Sequence, residues 1–142
     1  MQRVLKAFFP AVILAFVLAS VLFTQFNLAA LQAMGQEVSM GVRIATTFDD
    51  LIGMASSYLL LILVAFILGL PVAAGLNRLA PGYRALLFTL AGFAAVIALH
   101  LIMKAALGIT AIAVTRTLPG LLAQGLAGAV GGYCYHRLSR PA

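Results

Sequence analysis

Residues 51–70 read LIGMASSYLLLILVAFILGL and contain no charged side chain. The uncharged run continues to Asn77, with Asp49 and Asp50 at its front edge and Arg78 just past its end. An α-helix rises about 1.5 Å per residue, so about 20 residues cross a hydrocarbon layer of about 30 Å. Residues 51–76 are therefore expected to form one membrane span. Thr47 and Asp50 have the T-x-x-D spacing of a capping box, which predicts a helix start near Phe48. Pro71 should kink that helix or end it.

Working outward, the composition supports lipid as the main solvent. Hydrophobic residues make up 64% of the 142 residues and charged residues only 8%, against about 25% charged in ordinary soluble domains. The net charge of +6 comes from nine Lys and Arg residues scattered singly. Without a basic run or a polar domain to display one, the pattern argues against nucleic-acid binding. It fits anchoring on an anionic cytoplasmic membrane face. Cys134 is the single cysteine, which excludes an intrachain disulfide and C-x-x-C redox chemistry.

Three further spans are expected, over 4–26, 85–107 and 117–136. The apolar run after MQRVLK is longer than a signal-peptide core, so it reads as an uncleaved first span. Residues 27–50 form the first outer loop, in which FNLAALQAMG extends the first helix until Gly35 stops it. Residues 77–84 form the inner loop, with Pro81-Gly82 as its turn, so spans two and three should be antiparallel neighbours. Residues 108–116 form the second outer loop. Pro119 falls in the first turn of span four, where a missing N–H is tolerated. The fold class is an all-α integral membrane four-helix bundle.

Charge orients it. Arg3, Lys6, Arg78, Arg84, Arg137 and Arg140 share one side; Arg43, Lys104 and Arg116 share the other with Glu37, Asp49 and Asp50. That bias predicts a multi-pass inner-membrane protein with both termini cytoplasmic. The outer loops also resemble each other. Ala33-Met34-Gly35 is followed by Arg43 at the same distance as Ala106-Leu107-Gly108 by Arg116. The chain thus reads as a possible tandem repeat of two helical hairpins, related by an axis along the membrane normal.

Few residues carry chemistry. Arg43 and Arg116 are either interfacial anchors or, if the repeat brings them together, an anion site for phosphate or carboxylate. His100 and Lys104 lie one helical turn apart and, with Asp49 and Asp50, form a candidate proton-linked cluster at the outer face. Tyr58 lies within a span, so its hydroxyl needs a partner. Gly53 and Ser57, and Gly125, Gly128 and Gly132, have the small-residue spacing of close helix packing.

His100 and His136 belong to opposite ends of their spans, which argues against bis-histidine haem. No metal-ligand or P-loop spacing occurs. The first span has no membrane-embedded Glu of the small multidrug exporter type, and the paired cysteines of quinone-linked thiol oxidases are missing. No cofactor is expected. The leading expectation is a non-enzymatic accessory or scaffold protein, held in lipid and contacting itself or a membrane-protein partner. The alternative is an oligomeric small-solute or anion transporter using Arg43 and Arg116. A weaker one is a lipid-modifying enzyme with His100 as base.

Overall fold

The computed structural model describes residues 1–108 and 113–141. Residues 109–112 of the expected second outer loop lie outside the described residues. The described chain is helical throughout. It has five α-helices: α1 (Gln2–Ala33), α2 (Met40–Met54), α3 (Tyr58–Leu79), α4 (Arg84–Leu107) and α5 (Leu118–Leu138). Short 3-10 turns at Pro81–Tyr83 and Ala113–Arg116 precede α4 and α5.

Among the described residues, three stretches are long and apolar enough to cross a membrane: Gln2–Ala33, Tyr58–Leu79 and Pro81–Leu107. α5 is not among them, because five glycines and Gln124 dilute its apolar content. Its burial explains that composition. Of its 21 residues, 11 are buried, against six of 22 in α3 and four of 24 in α4. A helix covered by other helices needs small residues on its surface more than it needs large apolar ones.

α5 packs mainly against α4 and α1, α3 packs against α4 and α1, and α2 lies on α1. The α4–α5 contact is made by backbone. A Cβ added at Gly92 would collide with the Gly128 carbonyl oxygen, one at Gly128 with the Gly92 carbonyl oxygen, and one at Gly132 with the Phe88 carbonyl oxygen. On the opposite side of α5, a Cβ at Gly131 would come within 2.7 Å of Ala15 Cβ and 2.9 Å of Phe66 Cζ. Phe16, Tyr58, Ile62, Phe66, Phe88 and Val96 fill the core around this seam.

Several local expectations hold. α1 runs on to Ala33 and closes in a Schellman motif. Gly35 has φ +84°, its N–H donates to Gln32 O, and the Gln36 N–H donates to Leu31 O, each at 3.0 Å. Gly108 also ends α4 in the left-handed region, with φ +67°, but its N–H donates to Lys104 O at 3.0 Å, the simpler αL closure. Pro81 opens the short turn between α3 and α4, and Pro119 sits in the first turn of α5 behind the Thr117 cap.

Others are corrected. The expected span 51–76 is two helices, because the chain turns at Ala55, Ser56 and Ser57 between α2 and α3. The Thr47–Asp50 capping box is not a cap. α2 begins earlier, at Met40, where Ser39 Oγ accepts from Val42 N at 3.2 Å. Thr47 is mid-helix and donates to Arg43 O at 2.7 Å. Asp50 is instead engaged by α1, through Thr24 Oγ1 at 2.6 Å. Pro71 does not end α3, which continues through it to Leu79.

Candidate functional site

Most of the core is apolar, but at the level of residues 19–24 of α1 it holds a buried polar chain that touches four helices. Tyr58, at the first turn of α3, is 2% exposed; His100 of α4 is 5% and Gln124 of α5 is 0%. Tyr58 Oη donates to Gln124 Oε1 at 2.7 Å and lies 3.0 Å from His100 Nε2. His100 Nδ1 lies 2.7 Å from the Val96 carbonyl oxygen, one turn back on its own helix. Gln124 Nε2 donates to the Ala19 carbonyl oxygen of α1 at 3.1 Å. Buried polar groups in an apolar surround are costly unless bonded, so this chain ties α1, α3, α4 and α5 to one register.

The local sequence makes room for it. Gly125 and Gly128 flank Gln124 along α5, and Phe93, Val96 and Ile97 of α4 close over those glycines. The aromatic ring of Tyr58 meets His100 edge-on, with centroids 5.7 Å apart, and Phe16 of α1 also meets it edge-on, with centroids 6.5 Å apart.

Beyond His100 the molecule opens into a cleft of about 180 Å³ at the end that carries α2. That is room for about six waters at ~30 Å³ each. Lys104, Thr115, Arg116 and Thr117 supply its polar lining, with Leu101, Leu118 and Leu121. Among the described residues the lining has two basic side chains, an imidazole and two hydroxyls, and no carboxylate. It also sits over the first turn of α5, the positive end of that helix dipole. This set of groups favours an anion.

The sequence candidates separate into three places. His100, Lys104 and Arg116 share the cleft. Arg43 lies elsewhere, in a depression lined by Gln25, Ile44, Thr47 and Phe48. Its guanidinium donates to Gln25 Oε1 at 2.5 Å and to Gln32 Oε1 at 3.2 Å, both on α1. The expected meeting of Arg43 with Arg116 is thus replaced by one arginine tying α2 to α1 and one lining the cleft. Asp50 is held by Thr24, and Asp49 is exposed on α2. Gly125, Gly128 and Gly132 face α4. Gly53, near the end of α2, and Ser57, in the α2–α3 turn, are exposed, and nothing approaches within 4 Å of a Cβ built at Gly53.

Gln124 escaped the sequence reading. Its signal was present: a lone uncharged amide inside an apolar, glycine-rich helix is a polar group that lipid will not satisfy. Compared with known proteins, the chain matches no family model, no curated protein and no solved structure.

Proposed function

We propose that the chain is an integral inner-membrane protein with α1, α3, α4 and α5 as four spans, both termini cytoplasmic, that binds a small oxyanion at its outer end without catalysing a reaction. The cleft where His100, Lys104 and Arg116 converge carries this reading. α5 has 21 residues, which at about 1.5 Å each is long enough for a layer of about 30 Å. Six of the nine basic residues then fall at the cytoplasmic end. α2 fits the outer interface. None of its residues is buried, and Met40, Ile44, Phe48 and Ile52 form an exposed apolar stripe.

The phosphate or carboxylate class follows from the Lys104 and Arg116 side chains in the lining. Binding of inorganic sulfate to the detergent-solubilised protein, compared with a Lys104→Ala, Arg116→Ala variant, tests it. Wild type should bind and the double variant should lose at least tenfold in affinity. Equal binding by both sinks the reading. Arg43→Ala, outside the cleft, should bind as wild type. Reporters fused to the two ends test the topology, and either one accessible from the periplasm refutes it.

A scaffold role is the second reading, favoured by the α2 surface. Phe48 is 61% and Ile52 77% exposed, beside a Gly53 with open space around it. Most of the other small-residue contacts expected to hold a partner are used within the chain: Gly125, Gly128 and Gly132 meet α4.

A further inference from the structure

The buried polar chain is one proton short. Gln124 Nε2 donates to a main-chain carbonyl, Ala19 O, which fixes the amide and turns Oε1 toward Tyr58. An amide oxygen only accepts, so the single hydroxyl proton of Tyr58 is committed to it. The Tyr58 oxygen then has only lone pairs to offer His100 Nε2, 3.0 Å away. At the other side of the ring, Nδ1 faces the Val96 carbonyl at 2.7 Å, which again only accepts. Every contact is satisfied only if both ring nitrogens carry a proton. A neutral His100 leaves one lone pair facing another, whichever tautomer it adopts.

A charged ring has its own cost. It would sit buried, beside Lys104 of α4 and Arg116 of the Ala113–Arg116 turn, which line the same cleft. The other elements around it offer no compensating carboxylate in the described contacts. α3 presents the Tyr58 phenol, α5 presents Gln124 and Leu121, and α1 presents the Ala19 carbonyl through Gln124. On α2, Asp50 is bound by Thr24 and Asp49 is exposed. An anion in the cleft would supply the missing negative charge.

Resting on the anion-site reading above, we infer that the Tyr58–His100–Gln124 chain and the cleft form one coupled site, which takes up a proton at His100 together with an oxyanion held by Lys104 and Arg116. The proton adds to the ring nitrogen lacking one and comes from water. The bound anion balances it, and no covalent bond to the anion forms. By linkage, each ligand strengthens binding of the other. The sign is fixed: lower pH tightens anion binding.

Sulfate is a suitable probe because its charge is constant between about pH 5 and 8. Calorimetric titration of the protein in maltoside micelles, across that range and in two buffers of different ionisation enthalpy, measures affinity and proton uptake together. Wild-type affinity should rise as pH falls, approaching tenfold per pH unit, with up to one proton taken up per sulfate. His136→Gln, at the far end of α5, should behave the same. His100→Gln should bind with an affinity independent of pH and take up no proton. Repeating the titration in phosphatidylglycerol nanodiscs separates the sources: a lost signal identifies a lipid phosphate as the natural occupant, and a retained one identifies a free anion.

PH-independent sulfate affinity without proton uptake in wild type overturns the coupling and leaves the anion cleft standing. Absence of sulfate binding to wild type in micelles at every pH overturns both. Persistent pH dependence in His100→Gln overturns the assignment to His100. If that variant does not fold, the ¹⁵N imidazole shifts of wild type decide. Both ring nitrogens of His100 should be protonated in the sulfate-bound protein, and a neutral ring there at about pH 5.5 overturns the inference.

Discussion

The two halves of α5 hold the molecule together by opposite means. Toward the chain termini, Gly128, Gly131 and Gly132 remove side chains so that backbone and methyl groups of α4 and α1 come into direct contact. One turn earlier, Gln124 places a long amide side chain in the same core and bonds it at both ends. The glycine half supplies close packing, which tolerates almost no added atom. The polar half supplies register and a titratable site, which tolerate change at the cost of unpaired groups. A helix lined only with glycine would pack but carry nothing. A helix with several polar side chains would find too few partners in lipid.

The largest expected effect lies in the glycine half. In Gly128→Val the added carbons meet the Gly92 carbonyl and Val96 Cγ2. A backbone obstacle cannot rotate away, so α4 and α5 must separate. We expect a loss of about 3 kcal/mol or more, the upper end of overpacking costs. Cys134 is the only cysteine and is half-buried on α5, so a thiol-reactive dye reports unfolding by heat. Gly125→Ala makes the contrast, since its Cβ meets the ends of Phe93 and Ile97 side chains, which can shift. If the two variants melt alike, the glycine half is not the rigid one.

The polar half should respond less. Gln124→Leu keeps the volume roughly, removes the amide hydrogen bond to the Ala19 carbonyl and removes the acceptor of Tyr58 Oη. A lost hydrogen bond costs about 0.5–1.5 kcal/mol, so the variant, which loses two, should fold with a lowered melting temperature. Tyr58→Phe should cost a similar amount, and the double variant clearly less than the sum, because both singles break the same bond. Strict additivity would mean that the chain of hydrogen bonds does not act as a unit.

How far the sequence could be read follows the same division. Helix ends announced themselves: Gly35 and Gly108 both close helices with left-handed backbone, and Pro81-Gly82 opens the turn between α3 and α4. Tyr58 was visibly in need of a partner, and it found His100 and Gln124. The α2–α3 turn was not visible, because Ala55, Ser56 and Ser57 interrupt neither the hydropathy nor the absence of charge. The T-x-x-D pattern misled because Thr47 and Asp50 serve their own helix and α1. The convergence of His100, Lys104 and Arg116 depends on where the Ala113–Arg116 turn folds back against α5 and α1, which no local spacing encodes.

A smaller effect separates α2 from the core. Thr24 is buried on α1 and joins Ser20 O at 3.1 Å and Asp50 at 2.6 Å. Thr24→Val keeps the shape and removes one of the hydrogen bonds between α1 and α2. The expected cost is about 1 kcal/mol, confined to α2. Hydrogen exchange should speed up over Met40–Met54 and stay unchanged in α4 and α5. Faster exchange throughout would show that α2 is integral to the core.

The smallest expected change tests whether the exposed face of α2 meets a partner. Gly53 lies one residue before the last position of α2 with open space where a side chain would go. In the isolated chain, Gly53→Ala therefore adds no collision and removes backbone freedom from the unfolded state, a gain of about 0.5 kcal/mol. That gain, with unchanged mass by light scattering in detergent, is what a free interfacial helix predicts. A partner helix or second copy packed on this face would turn the added methyl into an intruder. The variant would then lose stability in the assembled state and shift toward the smaller species. The sign of this one substitution thus discriminates a helix lying in the lipid interface from one that completes an interface with another protein.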